Sequence, residues 1–98
     1  MSRLVADLRG QLLPSLREVA AEAMTRDCRH CPEWVVPALM EGAQSDPAPT
    51  VRACCARCLG ELRFRTLSCR SLLESLRNDE DPRVRAEAEW ALARFGPP

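Results

Sequence analysis

Apolar residues recur at helical spacing in two runs in the middle of the chain. The first run covers residues 33–44, and its apolar face is formed by Val36, Leu39, Met40 and Ala43. The second run covers residues 51–62, and its apolar face is formed by Val51, Cys55, Cys58, Leu59 and Leu62. Between them, the sequence Ser-Asp-Pro-Ala-Pro-Thr contains two prolines, which remove backbone donors and end the first helix. The pattern predicts two helices joined by this turn, with Thr50 as the N-cap of the second.

The same pattern returns 33 residues later. Residues 36–62 pair with residues 69–95 without a gap, and eight of the 27 pairs are identical. The identical pairs are Leu39/Leu72, Glu41/Glu74, Asp46/Asp79, Pro49/Pro82, Val51/Val84, Arg52/Arg85, Ala53/Ala86 and Leu59/Leu92. The later copy predicts helices over residues 67–77 and 83–95, the second of which is capped by Asp81 or a preceding acid.

A fainter copy precedes these two at a shift of 35 residues. In it, Leu4, Val5 and Leu8 take the places of Leu39, Met40 and Ala43. A repeat of this length is typical of stacked helical hairpins. We therefore predict an all-α fold, an α-solenoid of about three antiparallel helical hairpins. It forms one domain over residues 1–98, with repeats at about 1–29, 30–65 and 66–98.

The two stronger copies resemble HEAT repeats of the short bacterial type. Such a repeat has an aliphatic helix, an Asp-Pro turn and a second helix that begins with Val-Arg. The matching segments are VPALMEGAQSDPAPTVRACCARCLGEL and SLLESLRNDEDPRVRAEAEWALARFG, with LVADLRGQLLPSLREVAAEAM as a looser match. The resemblance implies a scaffold or adaptor that binds another protein through the concave face of its second helices. It does not select one partner, because the same fold serves many functions.

Two residues of the second helices are candidates for contact with a partner. Arg57 and Trp90 occupy the same place in successive copies. The resemblance implies that both point outward on the concave face, where an exposed tryptophan is a common interface anchor.

Positive charge is concentrated in residues 50–70, although the chain carries 14 positive and 14 negative side chains in all. The segment holds Glu61 as its only acid and five arginines, namely Arg52, Arg57, Arg63, Arg65 and Arg70. Two interpretations stay open: a docking strip for an acidic partner or a nucleic-acid backbone, and pairing with acids of the same chain.

The repeat pattern favours internal pairing for part of this strip. Asp46 and Arg52 have the same spacing as Asp79 and Arg85, which predicts ion pairs from one hairpin to the next. Arg63 and Arg65 lie in the connector between copies and are freer to bind a partner together with Arg57 and Trp90. Nucleic acid is disfavoured as the partner, because both flanking segments are net acidic.

The cysteines allow a structural and a chemical interpretation. Cys28-x-x-Cys31 and Cys55-x-x-Cys58 have nearly the spacing of a four-thiolate zinc site, with His30 as a spare ligand. However, Cys55 and Cys58 align with alanines of the last copy, at positions where a free cysteine packs as a small apolar residue. Core packing is the favoured interpretation, so we predict no metal and no cofactor. Zinc binding by Cys28, Cys31, Cys55 and Cys58 stays the alternative.

The composition and the first residues of the chain indicate the kind of protein and its compartment. The chain is 46% hydrophobic and 29% charged, which is typical of a soluble globular domain. Arg3, Asp7 and Arg9 interrupt the apolar start, so it does not resemble a signal peptide, and no run approaches the roughly 18 apolar residues of a membrane helix. We expect a cytoplasmic protein that does not bind a membrane. Six cysteines without an export signal argue against a disulfide framework.

The sequence contains no arrangement of residues that indicates catalysis. It has no glycine-rich phosphate loop and no nucleophile placed beside a base. We therefore predict a non-catalytic HEAT-type module that binds another protein. An accessory subunit of an enzyme and a zinc-binding variant are the alternatives, and self-association stays open.

Overall fold

The computed structural model describes residues 13–26, 33–63 and 65–97. These ranges contain no strand and five α-helices, which are α1 (Pro14–Arg26), α2 (Val35–Ser45), α3 (Pro49–Leu62), α4 (Leu67–Leu76) and α5 (Pro82–Phe95). Helices α2 and α3 form one hairpin, and α4 and α5 form the next. Helix α1 is the second helix of the first copy, and the first helix predicted for that copy lies outside the described residues. The all-α fold of stacked hairpins is confirmed, whereas the exact repeat limits stay a prediction.

The helices form two layers. Helix α3 lies at the centre of one layer, between α1 and α5, while α2 packs on α3 and α4 packs on α5. The molecule measures 34 × 31 × 17 Å, and two layers of helices, each about 10 Å across, account for the shortest dimension. None of the described helices is long and apolar enough to cross a membrane.

Proline sets the start of both second helices. Helix α3 begins at Pro49 and α5 at Pro82, because the first position of a helix tolerates a residue without a backbone N–H. The N-cap of α3 is consequently Ala48, and the prediction that Thr50 caps this helix was wrong. Asp81 is the N-cap of α5, as predicted, and its carboxylate accepts a hydrogen bond from the backbone N–H of Arg83 at 2.8 Å.

The hydrophobic core lies between the two layers. Its fully buried members include Leu39 of α2, Leu59 of α3, Leu73 of α4 and Phe95 of α5. Cysteines contribute directly to this core, because Cys55, Cys58 and Cys69 are also fully buried. The apolar spacing in the sequence therefore marks the face on which each helix packs.

A ladder of ion pairs joins successive hairpins. Arg17 of α1 donates two hydrogen bonds to Asp46, from Nε at 2.8 Å and from Nη2 at 2.9 Å. Arg52 of α3 binds Asp79 in the same way, with both distances at 3.1 Å. The hydrogen bonds from Arg52 hold the pKa of Asp79 below its usual value. The prediction of ion pairs from one hairpin to the next is confirmed for Arg52, whereas Arg85 donates to the carbonyls of Asp79 and Glu80 in its own hairpin.

Candidate functional site

The second helices leave an open depression on the side of their layer that faces away from α2 and α4. It has a volume of about 380 Å³ and is lined by Glu18, Glu22, Thr50, Ala53, Cys54, Arg57, Arg83, Ala86 and Glu87. We call this depression the groove. Its floor contains small side chains, and its charged side chains come from all three second helices. Arg57 reaches the groove because it lies about 200° around the axis of α3 from Cys55, which is buried in the core.

A second cavity continues from the groove between α1 and α3. It has a volume of about 400 Å³ and is lined by Glu22, Thr25, Arg26, Arg57, Glu61 and Leu62. The two cavities share Glu22 and Arg57. These two side chains therefore stand at the boundary between them.

Arg57 and Glu22 form an ion pair across the neighbouring helices α3 and α1. The distance from Arg57 Nη2 to Glu22 Oε1 is 2.9 Å, and the two side chains are 40% and 47% exposed. Glu61 lies on the other side, with its Oε1 3.7 Å from Arg57 Nε. That nitrogen is buried and has no hydrogen-bond partner. Arg57 is thus held by acids of its own chain, but one of its donors is unsatisfied.

Cys54 lies at the floor of the groove beneath this ion pair. Its thiol lies 3.7 Å from the backbone carbonyl of Glu18 and 3.8 Å from Oε1 of Glu22. The Cys54 side chain is buried. A hydrogen bond with Cys58 and burial raise the pKa of Cys54, so the thiol stays protonated at neutral pH.

The other described cysteines serve as packing residues. Burial raises the pKa of Cys55, and it raises the pKa of Cys69 to about 11. Cys58 is buried against α1, with its thiol 3.8 Å from the carbonyl of Ala21. Within the described ranges, no group of three or more potential ligands could hold a metal ion. Cys55 and Cys58 thus pack in the core, and whether they also bind a metal stays a prediction.

The alternative zinc site also needs residues upstream of α2. Cys28, Cys31 and His30 lie outside the described residues. Their role stays a prediction.

Burial makes a direct prediction about thiol reactivity. We expect Cys54, Cys55, Cys58 and Cys69 to react with a maleimide about a hundredfold more slowly in the native protein than in urea. Peptide mass spectrometry after timed labelling measures each site separately. Rapid native labelling of Cys55 or Cys58 would contradict the packing interpretation. So would protection of these thiols by one equivalent of bound zinc.

Trp90 lies on α5 at the position that corresponds to Arg57 on α3. Its side chain is 39% exposed, and the guanidinium of Arg94 lies 5.0 Å from the centre of its ring. The ring also packs beside Gly60 of α3, where an added Cβ would lie 2.9 Å from Trp90 Cζ3. One side of the ring is therefore fixed by the fold while another part is accessible to a partner.

The structure assigns most of the basic segment to internal contacts. Arg65 donates to the carbonyl of Phe95 at 3.1 Å, and Arg70 donates to the carbonyl of Gly96 at 3.0 Å. Both arginines satisfy carbonyls at the end of α5, where positive charge also favours the helix dipole. The interpretation of Arg65 as a free connector residue was therefore wrong. Arg63 is exposed, and its side chain has no partner among the described residues.

Sequence reasoning missed the acids that line the groove together with Arg57. Glu22 aligns with Arg57 at the shift of 35, and Glu87 aligns with Cys54 at the shift of 33. Extending the register from buried positions to the opposite helix face would have placed Glu18, Glu22 and Glu87 around one groove. Whether Arg57, Trp90, Arg63 and Arg65 contact a partner stays a prediction.

Comparison with known proteins agrees with the architecture. A family model described as HEAT repeats matches residues 2–98. A search of curated proteins found no match. Since the family match extends over nearly the whole sequence, the chain belongs to the HEAT-repeat family.

Proposed function

We propose that this chain is a non-catalytic HEAT-repeat module that binds another protein in the groove between α1, α3 and α5. HEAT repeats generally serve as protein-interaction scaffolds, and the proposal assigns that role to one surface of this chain. The observation that carries it is the groove itself, which combines a floor of small side chains with charged walls and has the exposed Trp90 on the same layer.

The charged side chains at the groove support binding. Glu22 and Arg57 pair with each other, and Asp81 pairs with Arg83 at 2.9 Å. Paired charges of this kind orient a binding surface toward its partner. We place the protein in the cytoplasm, where a reducing environment suits the four free, buried thiols of the described residues.

Nucleic acid is a weaker proposal for the same surface. Arg52, Arg65 and Arg70, three of the five arginines in the basic segment, bind groups of the protein itself. A phosphate backbone would have to compete with those internal contacts. No observation favours an enzyme subunit over any other class of protein partner.

The test uses two exposed alanines of α5 as a matched pair. Ala86 lines the groove, while Ala93 lies outside it. A partner captured with the wild-type protein is identified and its affinity measured by calorimetry. Ala86→Trp fills the groove and should weaken binding about tenfold or more, or by about 1.4 kcal/mol. Ala93→Trp should change the affinity by less than about twofold. Equal affinity for both variants would show that the partner binds elsewhere.

A further inference from the structure

We infer that the groove binds a basic segment of its partner, with a lysine or arginine side chain placed between Glu18 and Glu87. The incoming cation also takes the place of Arg57 on Glu22. This inference rests on the proposed function and adds the chemistry of the partner. It reverses the expectation from the sequence that Arg57 marks a docking strip for an acidic partner.

Two arginines, Arg57 and Arg83, line the groove. Arg83 binds Asp81 through Nε at 3.1 Å and through Nη2 at 2.9 Å. The same contact lowers the pKa of Asp81 to about 2, so the carboxylate stays ionised and holds Arg83. Arg57 is held by Glu22 and lies close to Glu61. Both positive charges are therefore neutralised by the chain itself.

Two of the glutamates that line the groove have no partner within the described part of the chain. The side chains of Glu18 and Glu87 are half-buried, and neither forms an ion pair or hydrogen bond with another described residue. They belong to α1 and α5, on opposite sides of a floor made by Ala53, Cys54 and Ala86. Asp81 is the main cause of the raised pKa of Arg83, and Glu18 adds to this from across the groove.

A partner that covers the groove removes water from these carboxylates. Desolvation of an unpaired charge is unfavourable, so the partner that binds best supplies cations to them. The alanine floor leaves room for the long aliphatic part of a lysine or arginine side chain. Charge and shape thus select the same kind of partner.

The ion pair between Arg57 and Glu22 stands at the boundary between the groove and the second cavity. Glu22 and Arg57 are about half exposed, and exposed pairs of this kind shift an equilibrium by no more than about fivefold. Arg57 Nε is buried without a hydrogen-bond partner while Arg57 is paired with Glu22, which makes the paired state less favourable. When Arg57 leaves Glu22, the groove and the second cavity join into one furrow along α1 and α3. A basic stretch of the partner would both fill this furrow and replace Arg57 as the cation that binds Glu22.

The test is the binding of fluorescein-labelled hepta-arginine and hepta-glutamate peptides to the 98-residue protein, measured by fluorescence anisotropy at constant ionic strength. Hepta-arginine should bind, and hepta-glutamate should not. Glu18→Gln combined with Glu87→Gln should weaken hepta-arginine binding about tenfold. The matched variant Glu74→Gln with Glu89→Gln removes the same charge from exposed positions outside the groove. It should weaken binding by less than about twofold.

A second pair of variants tests the exchange at Glu22. Arg57→Gln removes the competing cation and should tighten hepta-arginine binding about threefold. Arg63→Gln changes the net charge equally at an exposed position and should have a smaller effect. Equal effects within either matched pair, or tighter binding of hepta-glutamate, would overturn the inference. A dimer that is lost in the Glu18→Gln, Glu87→Gln variant would also overturn it, because the occupant would then be a second copy.

The two proposals fail in different ways. If Ala86→Trp blocks the natural partner but the groove acids do not affect hepta-arginine, the groove is the binding surface and the basic partner is wrong. If Ala86→Trp leaves the natural partner unaffected, the proposed function fails whatever the peptides do.

Discussion

Replacing Gly60 with valine is expected to destabilise the protein by about 3 kcal/mol. Gly60 lies at a close contact between α3 and α5. A Cβ at this position would lie 2.8 Å from the Cβ of Ala91, 2.9 Å from its Cα and 2.9 Å from Cζ3 of Trp90. The Cα of Ala91 belongs to the backbone of α5, so the clash cannot be relieved by a change of rotamer. The helices must separate, and the core between them loses its packing.

The matched control is Ala93→Val. Ala93 takes the place of Gly60 in the last copy, but it is exposed. We expect it to lose less than about 1 kcal/mol, mainly from the lower helix propensity of valine. Urea unfolding followed by circular dichroism at 222 nm compares both variants with the wild type. A loss for Gly60→Val no greater than for Ala93→Val would show that α3 and α5 are not in close contact.

Replacing Arg17 with methionine is the second large effect that we expect, at about 2–3 kcal/mol. The side chains of Arg17 and Asp46 are only 10% and 8% exposed, which makes this the most buried of the ion pairs among the described residues. Methionine retains the aliphatic packing of arginine but leaves the carboxylate of Asp46 without its bidentate partner. An uncompensated, largely buried charge is costly because few water molecules can replace the lost hydrogen bonds.

Arg63→Met is the control for this change. Arg63 is exposed, and its side chain has no partner within the described part of the chain, so we expect a change within about 0.5 kcal/mol. A double-mutant cycle with Asp46→Asn isolates the pair from other effects of each substitution. Additive losses from Arg17→Met and Asp46→Asn would contradict a direct energetic link between the first and second hairpins.

The sequence predicted the parts of the fold that follow from one-dimensional spacing. Apolar positions at helical intervals identified the helices, and Asp-Pro turns identified the breaks between them. The shift of 33 residues also aligned Cys55 with Ala88, both of which are buried in the structure. The spacing of Asp46 and Arg52 predicted the ion-pair ladder, because equivalent residues in a stacked repeat face the neighbouring hairpin.

The groove depends on information that spacing along one helix does not contain. Glu22 and Arg57 are 35 residues apart and meet because α1 and α3 pack side by side, close enough for the Cys58 thiol to lie 3.8 Å from the backbone carbonyl of Ala21. Arg65 was misassigned for a similar reason. The free carbonyls at the end of α5 that it binds are created by the end of that helix, 30 residues away.

Hydrogen exchange of the protein in complex with its captured partner locates the surface that the partner covers. We expect slower amide exchange in segments 14–26, 49–62 and 82–95, which form the groove. We expect unchanged exchange in segments 35–45 and 67–76, which form the opposite layer. Protection confined to those two outer helices would contradict the assignment of partner binding to the groove.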